Sequence, residues 1–175
     1  SDYLRLADII AAEIAAGTLK PGERLPPQRN FAYERKIAVS TASRVYAELL
    51  RRARKEVADI LATEGHFKPS VEGRETPGGG FAVVVDPGPR TTIADVELHF
   101  SGAASGAAER LDALRAAWAL PVGQPFRQAD WDAAKQQLLD GLSLRDYAAA
   151  AITASEALID PESASARLRV DIDSG

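Results

Sequence analysis

Between Pro27 and Gly65 the chain contains no Pro or Gly, and no other stretch of comparable length is free of both. Residues 39–63 are mostly Ala, Leu, Glu, Arg and Lys, which lose little on entering a helix. A continuous helix from about Val39 to Thr63 is therefore predicted, running through Arg51-Arg52-Ala53-Arg54-Lys55. That leaves sheet structure only for the remainder of the chain. Upstream, Tyr3 to Ala16 carries Leu6, Ile10 and Ile14 at i, i+4 and i+8, with Gly17 placed to end a first helix. Pro21-Gly22 makes a tight turn, and Pro27 suits the first turn of a short helix, Gln28 to Arg35.

After Gly65 the period changes from helical to alternating. Val71 to Glu75 and Phe81 to Val85 flank Pro77-Gly78-Gly79-Gly80, a hairpin signal. Asp86-Pro87-Gly88-Pro89 reads as a boundary. Ala94, Val96, Leu98 and Phe100 then alternate with Asp95, Glu97 and His99, the pattern of a half-buried strand. Two helices follow, about Ala107 to Ala119 and Gln128 to Leu142, separated by Pro121-Val122-Gly123. A strand rich in small residues runs from Ala148 to Leu158, and Asp160-Pro161 turns the chain. The last strand puts Ala166, Leu168, Val170 and Ile172 on one face. The predicted core is Ala94, Val96, Leu98, Phe100, Leu111, Leu114, Trp118, Trp131, Leu138, Leu168, Val170 and Ile172. A weak internal repeat relates residues 65–88 to residues 146–175. The chain lacks Met, so Ser1 is read as the start of a fragment or a processed form.

Charge divides the chain. Residues 20–55 hold ten Lys or Arg against three acidic residues, a local charge of +7, whereas residues 57–175 carry −8. The first part is suited to a polyanion and the second is not. The absence of Cys excludes disulfides, thiol nucleophiles and thiolate metal sites. His66 and His99 belong to no nucleophile motif, so no catalytic residue is assigned. Asp95, Glu97 and His99 share a strand face but spread over about 13 Å, which argues against a metal site. Gly78-Gly79-Gly80 is followed by neither Lys-Ser/Thr nor a helix, so it is a hairpin loop and no phosphate cradle. No cofactor is called for, and no stretch is long and apolar enough to span a bilayer.

From Arg51 onward an ordered set of residues resembles the POTRA region of TamA-type proteins, members of the Omp85 superfamily of outer-membrane assembly factors. The set is Arg52-Ala53-Arg54, Gly65-His66-Phe67, and Asp86-Pro87-Gly88-Pro89 leading to Val96 and Gly102. It continues through Trp118-Ala119-Leu120, Gly123 with Phe126, Trp131 with Lys135, and Tyr147, and closes on Asp173-Ser174-Gly175. The resemblance implies a periplasmic, non-catalytic module that binds client or partner polypeptides. No barrel is seen, so membrane insertion is not assigned to this chain. Residues 3–52 instead resemble the helix-turn-helix of GntR-type transcriptional regulators, especially the MocR branch. The match runs from Ile14 through Thr18-Leu19-Lys20-Pro21-Gly22-Glu23-Arg24-Leu25-Pro26 to Gln28-Arg29 and Phe31-Ala32, then Ser40-Thr41, Ser43-Arg44 and Tyr46. It implies a cytoplasmic DNA-binding protein with Ser40, Thr41, Ser43 and Arg44 in the major groove and Arg29 on a phosphate. Lys36 stands where that family has its turn Gly, Ala38 where a capping residue is usual, and Val39 where a base-reading Arg is common. No wing follows at Arg52, and no aminotransferase-like domain follows either.

The combined expectation is an α+β chain. It comprises a GntR-like helix-turn-helix without a clear wing (1–50), a partial POTRA-like α-β-β segment (51–90) and a complete POTRA-like β-α-α-β-β module (91–175). The two resemblances meet inside one helix, an arrangement read as a chimera. Two functions follow. The leading one is a polypeptide-binding scaffold using strand Ala148 to Leu158 as an open edge, with Ala148, Ala150, Ile152 and Ala154 accepting a client by β-augmentation. The other is a regulator fragment binding DNA through residues 20–55.

Overall fold

The computed structural model describes residues 2–18, 23–144 and 147–175, so the Pro21-Gly22 turn, Lys20 and Asp146 lie outside the described residues. The class is α+β. Helices α1 (Asp2–Ala15), α2 (Gln28–Glu34) and α3 (Val39–Thr63) come first. Strands β1 (Ser70–Glu75) and β2 (Phe81–Asp86) follow, then β3 (Thr92–Ser101), α4 (Ala108–Ala116), α5 (Gln128–Ser143), β4 (Ala151–Asp160) and β5 (Ser165–Asp173). The long helix is unbroken from Val39 to Thr63, as its composition requires. The chain divides into two compact units: Ser1–Asp59 with Pro69–Asp86, and Ile60–Lys68 with Pro87–Gly175.

The first unit closes around Ala7, Ile10, Phe31, Ala32, Ala42, Val45 and Tyr46. Tyr46 sits at the middle, 2% exposed, with its ring 5.4 Å from those of both Phe31 and Phe81. Its hydroxyl donates to the Pro26 carbonyl, and burial, with the charge of Glu34, pushes the phenol up to about 12. Ile14, placed on the buried stripe by its spacing, is 47% exposed, because the packed face of α1 is built from Ala7 and Ile10. At the turn between α2 and α3, Lys36 adopts φ +54°. This is the left-handed conformation that a Gly adopts without steric cost.

β1 and β2 form an antiparallel hairpin that belongs to this first unit and does not join α4 and α5. Phe81 packs against the helical core, Leu25 makes an antiparallel bridge to Phe81, and Arg54 on α3 donates to the Val71 carbonyl at 2.9 Å. The division between units therefore differs from the expected 1–50, 51–90 and 91–175. Apolar burial, which places Phe81 against the helical core, outweighs the order of elements along the chain.

The second unit is a three-stranded sheet in the order β3-β5-β4, β3 parallel and β4 antiparallel to the central β5. One sheet face and the helices α4 and α5 share a core containing Leu98, Leu111, Leu114, Trp131, Leu138 and Val170. Trp118 and Trp131 meet edge to face with ring centroids 6.1 Å apart, and the Trp118 indole N–H donates to the Leu120 carbonyl. Ala94 is exposed and Ile93 takes its place in the core, because the β3 register shifts between Ile93 and Asp95 and moves one residue out of alternation. Gly65 enters this unit at φ +90°, where a Cβ would collide with the Phe126 carbonyl. Its own carbonyl accepts from the Thr91 N–H.

Candidate functional site

Two surfaces carry the residues singled out by sequence. On the second unit, β4 is an edge strand beginning at Ala151. Ala148 and Ala150 therefore precede the strand, and Ile152 and Ala154 lie within it. The reason is local: the chain is still in a turn through Ala148 and Ala149, and the Ala150 N–H bonds the Tyr147 carbonyl. Ile152 pairs with Ile172 and packs against the core, whereas Ala154 pairs with Asp171 and is exposed. The register shift between Ile152 and Ala154 leaves Thr153 unpaired, its hydroxyl donating to the Asp171 carbonyl. Beyond it Ser155, Ala157 and Ile159 oppose the inward residues Val170, Leu168 and Ala166. Asp160 ends the strand by accepting from the Ser163 hydroxyl and from the Glu162 and Ser163 N–H groups, which hold its carboxyl below the usual range.

The sheet face away from the helices is organised by charge. Glu156, Arg169 and Glu97 form one row across the three strands, and Leu158, Arg167 and Asp95 the next. His99 lies beside Asp171, with its Nε2 3.2 Å from Glu97. Opposite charges side by side stabilise such a solvated face, modestly. Among the described residues no group of three or more His, Asp or Glu is placed to hold a metal ion, and no helix is long and apolar enough to cross a membrane.

On the first unit, the N-terminus of α3 presents Ser40 and Arg44 to solvent, with Thr41 half-buried, and Arg29 is exposed on α2. Ser43 is turned inward, its hydroxyl donating to Gln28 Oε1 at 2.6 Å, so it ties the two helices together. Much of the positive charge that sequence assigns here is already neutralised. Arg35 pairs with Glu13, Arg51 and Arg52 share Glu48, Arg52 also meets Asp8, and Lys55 pairs with Asp59. The hydrogen bonds from Arg51 and then Arg52 lower the Glu48 carboxyl to about 2. Arg24, Arg29, Lys36, Arg44 and Arg54 make no ion pair among the described residues, Arg54 being bonded instead to the Val71 carbonyl. Pairing partners such as Glu13 and Asp8 lie on α1, outside the basic stretch, which is why counting charge along the sequence overstates this face. The β1–β2 hairpin joins this unit through Phe81, the first residue of β2 and an apolar anchor visible in the sequence.

No family model matches the chain. Its sequence is similar to the HTH-type transcriptional regulator SmoD of Agrobacterium fabrum (strain C58 / ATCC 33970), 42% identical over 50 residues. That stretch is 29% of this chain and 21% of the regulator, so the chain spans about a fifth of the length of this curated relative. Among solved structures it is similar to BamA POTRA3-5 of Haemophilus influenzae, with a TM-score of 0.43 and 17% identity over 71% of this chain and 50% of that one. It is also similar to POTRA1-3 of the periplasmic domain of Omp85 from Anabaena, with a TM-score of 0.44 and 14% identity over 69% of this chain and 46% of that one.

Proposed function

We propose that residues 91–175 form a non-catalytic polypeptide-binding module of the kind that serves TamA-like outer-membrane assembly factors, acting in the periplasm. The observation that carries this reading is β4: an edge strand of a sheet whose other face is closed by helices, with small or polar side chains along most of its length. A strand in that position offers unpaired backbone groups to an extended client, and short side chains let clients of varied sequence approach. The BamA and Omp85 structures to which the chain is similar are POTRA domains, and the Omp85 one is periplasmic. Titration with an unfolded polypeptide, followed by amide hydrogen exchange, tests the proposal. Slowed exchange in 151–160, with the first unit unchanged, is the expected result. Unaltered exchange throughout the sheet at saturating client would overturn it.

A second reading, a DNA-binding regulator of the GntR/MocR kind acting in the cytoplasm, gains from one observation. The β1–β2 hairpin packs on the helix-turn-helix through Phe81 and the bridge to Leu25, the place where a wing would stand. Arg29, Ser40, Thr41 and Arg44 would then contact DNA, with Ser43 supporting α2.

A further inference from the structure

The second unit has two open strand edges, and they differ. Along β3, the edge away from β5 is covered only at its start. There residues 123–126 run antiparallel to it: Gly123 N–H donates to the Ile93 carbonyl, Ile93 N–H to Gln124, and Phe126 N–H to Thr91, each at 2.8 Å. Thr92 and Pro125 form the bridge between them. From Asp95 to Ser101 β3 has no strand partner on that side among the described residues. Beside this open length lies a groove of about 430 Å³ lined by Val96, Leu98, Arg115, Trp118, Pro121 and Val122, a volume in the range of ligand clefts.

We infer that the outer edge of β3 from Asp95 to Ser101 is a docking edge for an extended polypeptide whose residues alternate between apolar and basic. The inference rests on the polypeptide-binding reading above and gives it a second, chemically selective edge. A strand added here would continue the sheet about 4.8 Å beyond β3. Its side chains would alternate between the two sheet faces. On the helix side they meet the groove, where Val122 is 59% exposed and Val96 is half-buried, and so should be aliphatic or aromatic. On the opposite side they stand beside Asp95 and Glu97, the outermost members of rows in which Arg167 and Arg169 come next. A basic residue continues that alternation of sign, and an acidic one breaks it. On β4 the equivalent rows end in Leu158 and Glu156, so only one position there favours a cation. The segment 123–126 already pairs antiparallel with the same edge just upstream, at Thr91 to Ile93.

The test uses the whole chain and two short blocked peptides, one alternating Val or Phe with Lys and its counterpart with Glu in place of Lys, titrated by fluorescence anisotropy. Saturable binding of the Lys peptide is expected, weaker by about fivefold or more for the Glu peptide. Glu97→Lys and Val122→Asp should each weaken the Lys peptide by about fivefold, and Glu156→Lys on β4 should weaken it less than Glu97→Lys does. Both Glu97 and Glu156 are exposed, so circular dichroism should show each variant folded. If Glu156→Lys weakens binding as much as Glu97→Lys, the assignment to β3 is overturned while polypeptide binding stands. Equal affinity for the two peptides would also overturn it. If neither peptide binds saturably, the polypeptide-binding reading falls with it.

Discussion

Lys36 carries the least favourable backbone in the first unit. A side chain at φ +54° costs about 1 kcal/mol relative to Gly, partly offset by the larger freedom of Gly in the unfolded chain. Lys36→Gly should therefore raise the stability of the helix-turn-helix by about 0.5–1 kcal/mol, read from chemical denaturation; a loss would mean that the Lys side chain has a role in holding the turn. The departure was legible in sequence as a Lys at the position of a turn Gly, and the structure shows the backbone keeping the glycine conformation regardless. Glu48 gives a second test. Its carboxyl is held near 2 by Arg51 and Arg52, below the usual value of 4.5, so the folded state binds its proton less readily than the unfolded one. Its contribution is then fully present above pH 4.5 and fades as the pH falls toward 2. Stability differences between the native chain and Glu48→Gln, measured across that window, should shrink toward acid pH; a difference independent of pH would place the effect in packing. Nothing in the sequence pointed to this cluster beyond helical spacing, because Asp8 is brought in from α1 by tertiary packing.

At the scale of elements, long periodic or breaker-free stretches were readable and local irregularities were not. The unbroken α3 follows from helix-forming composition, and the alternation at 166–172 follows from one-sided burial of β5. The shift at Ala94 leaves no mark in the sequence, because a bulge moves one residue without changing composition and both Ile93 and Ala94 are apolar. The placement of the hairpin was harder still. Its turn was evident from Pro77-Gly78-Gly79-Gly80, but which core it joins is decided by contacts distant in sequence. Phe81→Ala removes the ring against Tyr46 and should cost about 2 kcal/mol, less than a fully buried Phe because the side chain is half-exposed. Thermal unfolding resolved by unit should show that loss in the first unit alone. Trp131, 4% exposed between the helices and the sheet, behaves as the sequence pattern suggested. Trp131→Ala should cost about 3–5 kcal/mol, and a loss below about 1 kcal/mol would be inconsistent with its burial.

For the whole molecule, internal pairing changes what the basic stretch can do. Among the described residues five cations of this stretch make no ion pair; Arg54 is tied to the Val71 carbonyl, and the other four (Arg24, Arg29, Lys36 and Arg44) would release counterions on binding a duplex. The log–log salt slope should then be roughly −4, well short of what ten basic residues would give. Duplexes of unrelated sequence should bind about equally, since Val39 offers no hydrogen bond to a base. Discrimination beyond about a hundredfold, abolished by Arg44→Ala, would make the regulator reading primary. The candidate binding edge was legible in outline, as a small-residue strand, but its limits and its counterpart on β3 were not. Edge position is a property of strand order, which no single strand reveals. The acidic row on β3 has one more consequence, for the company the chain keeps with itself. Two copies meeting edge to edge along β3 would set Asp95 and Glu97 against the same carboxylates of the other copy. Self-association by that route is opposed at low ionic strength, and concentrated salt, by screening the repulsion, removes the safeguard.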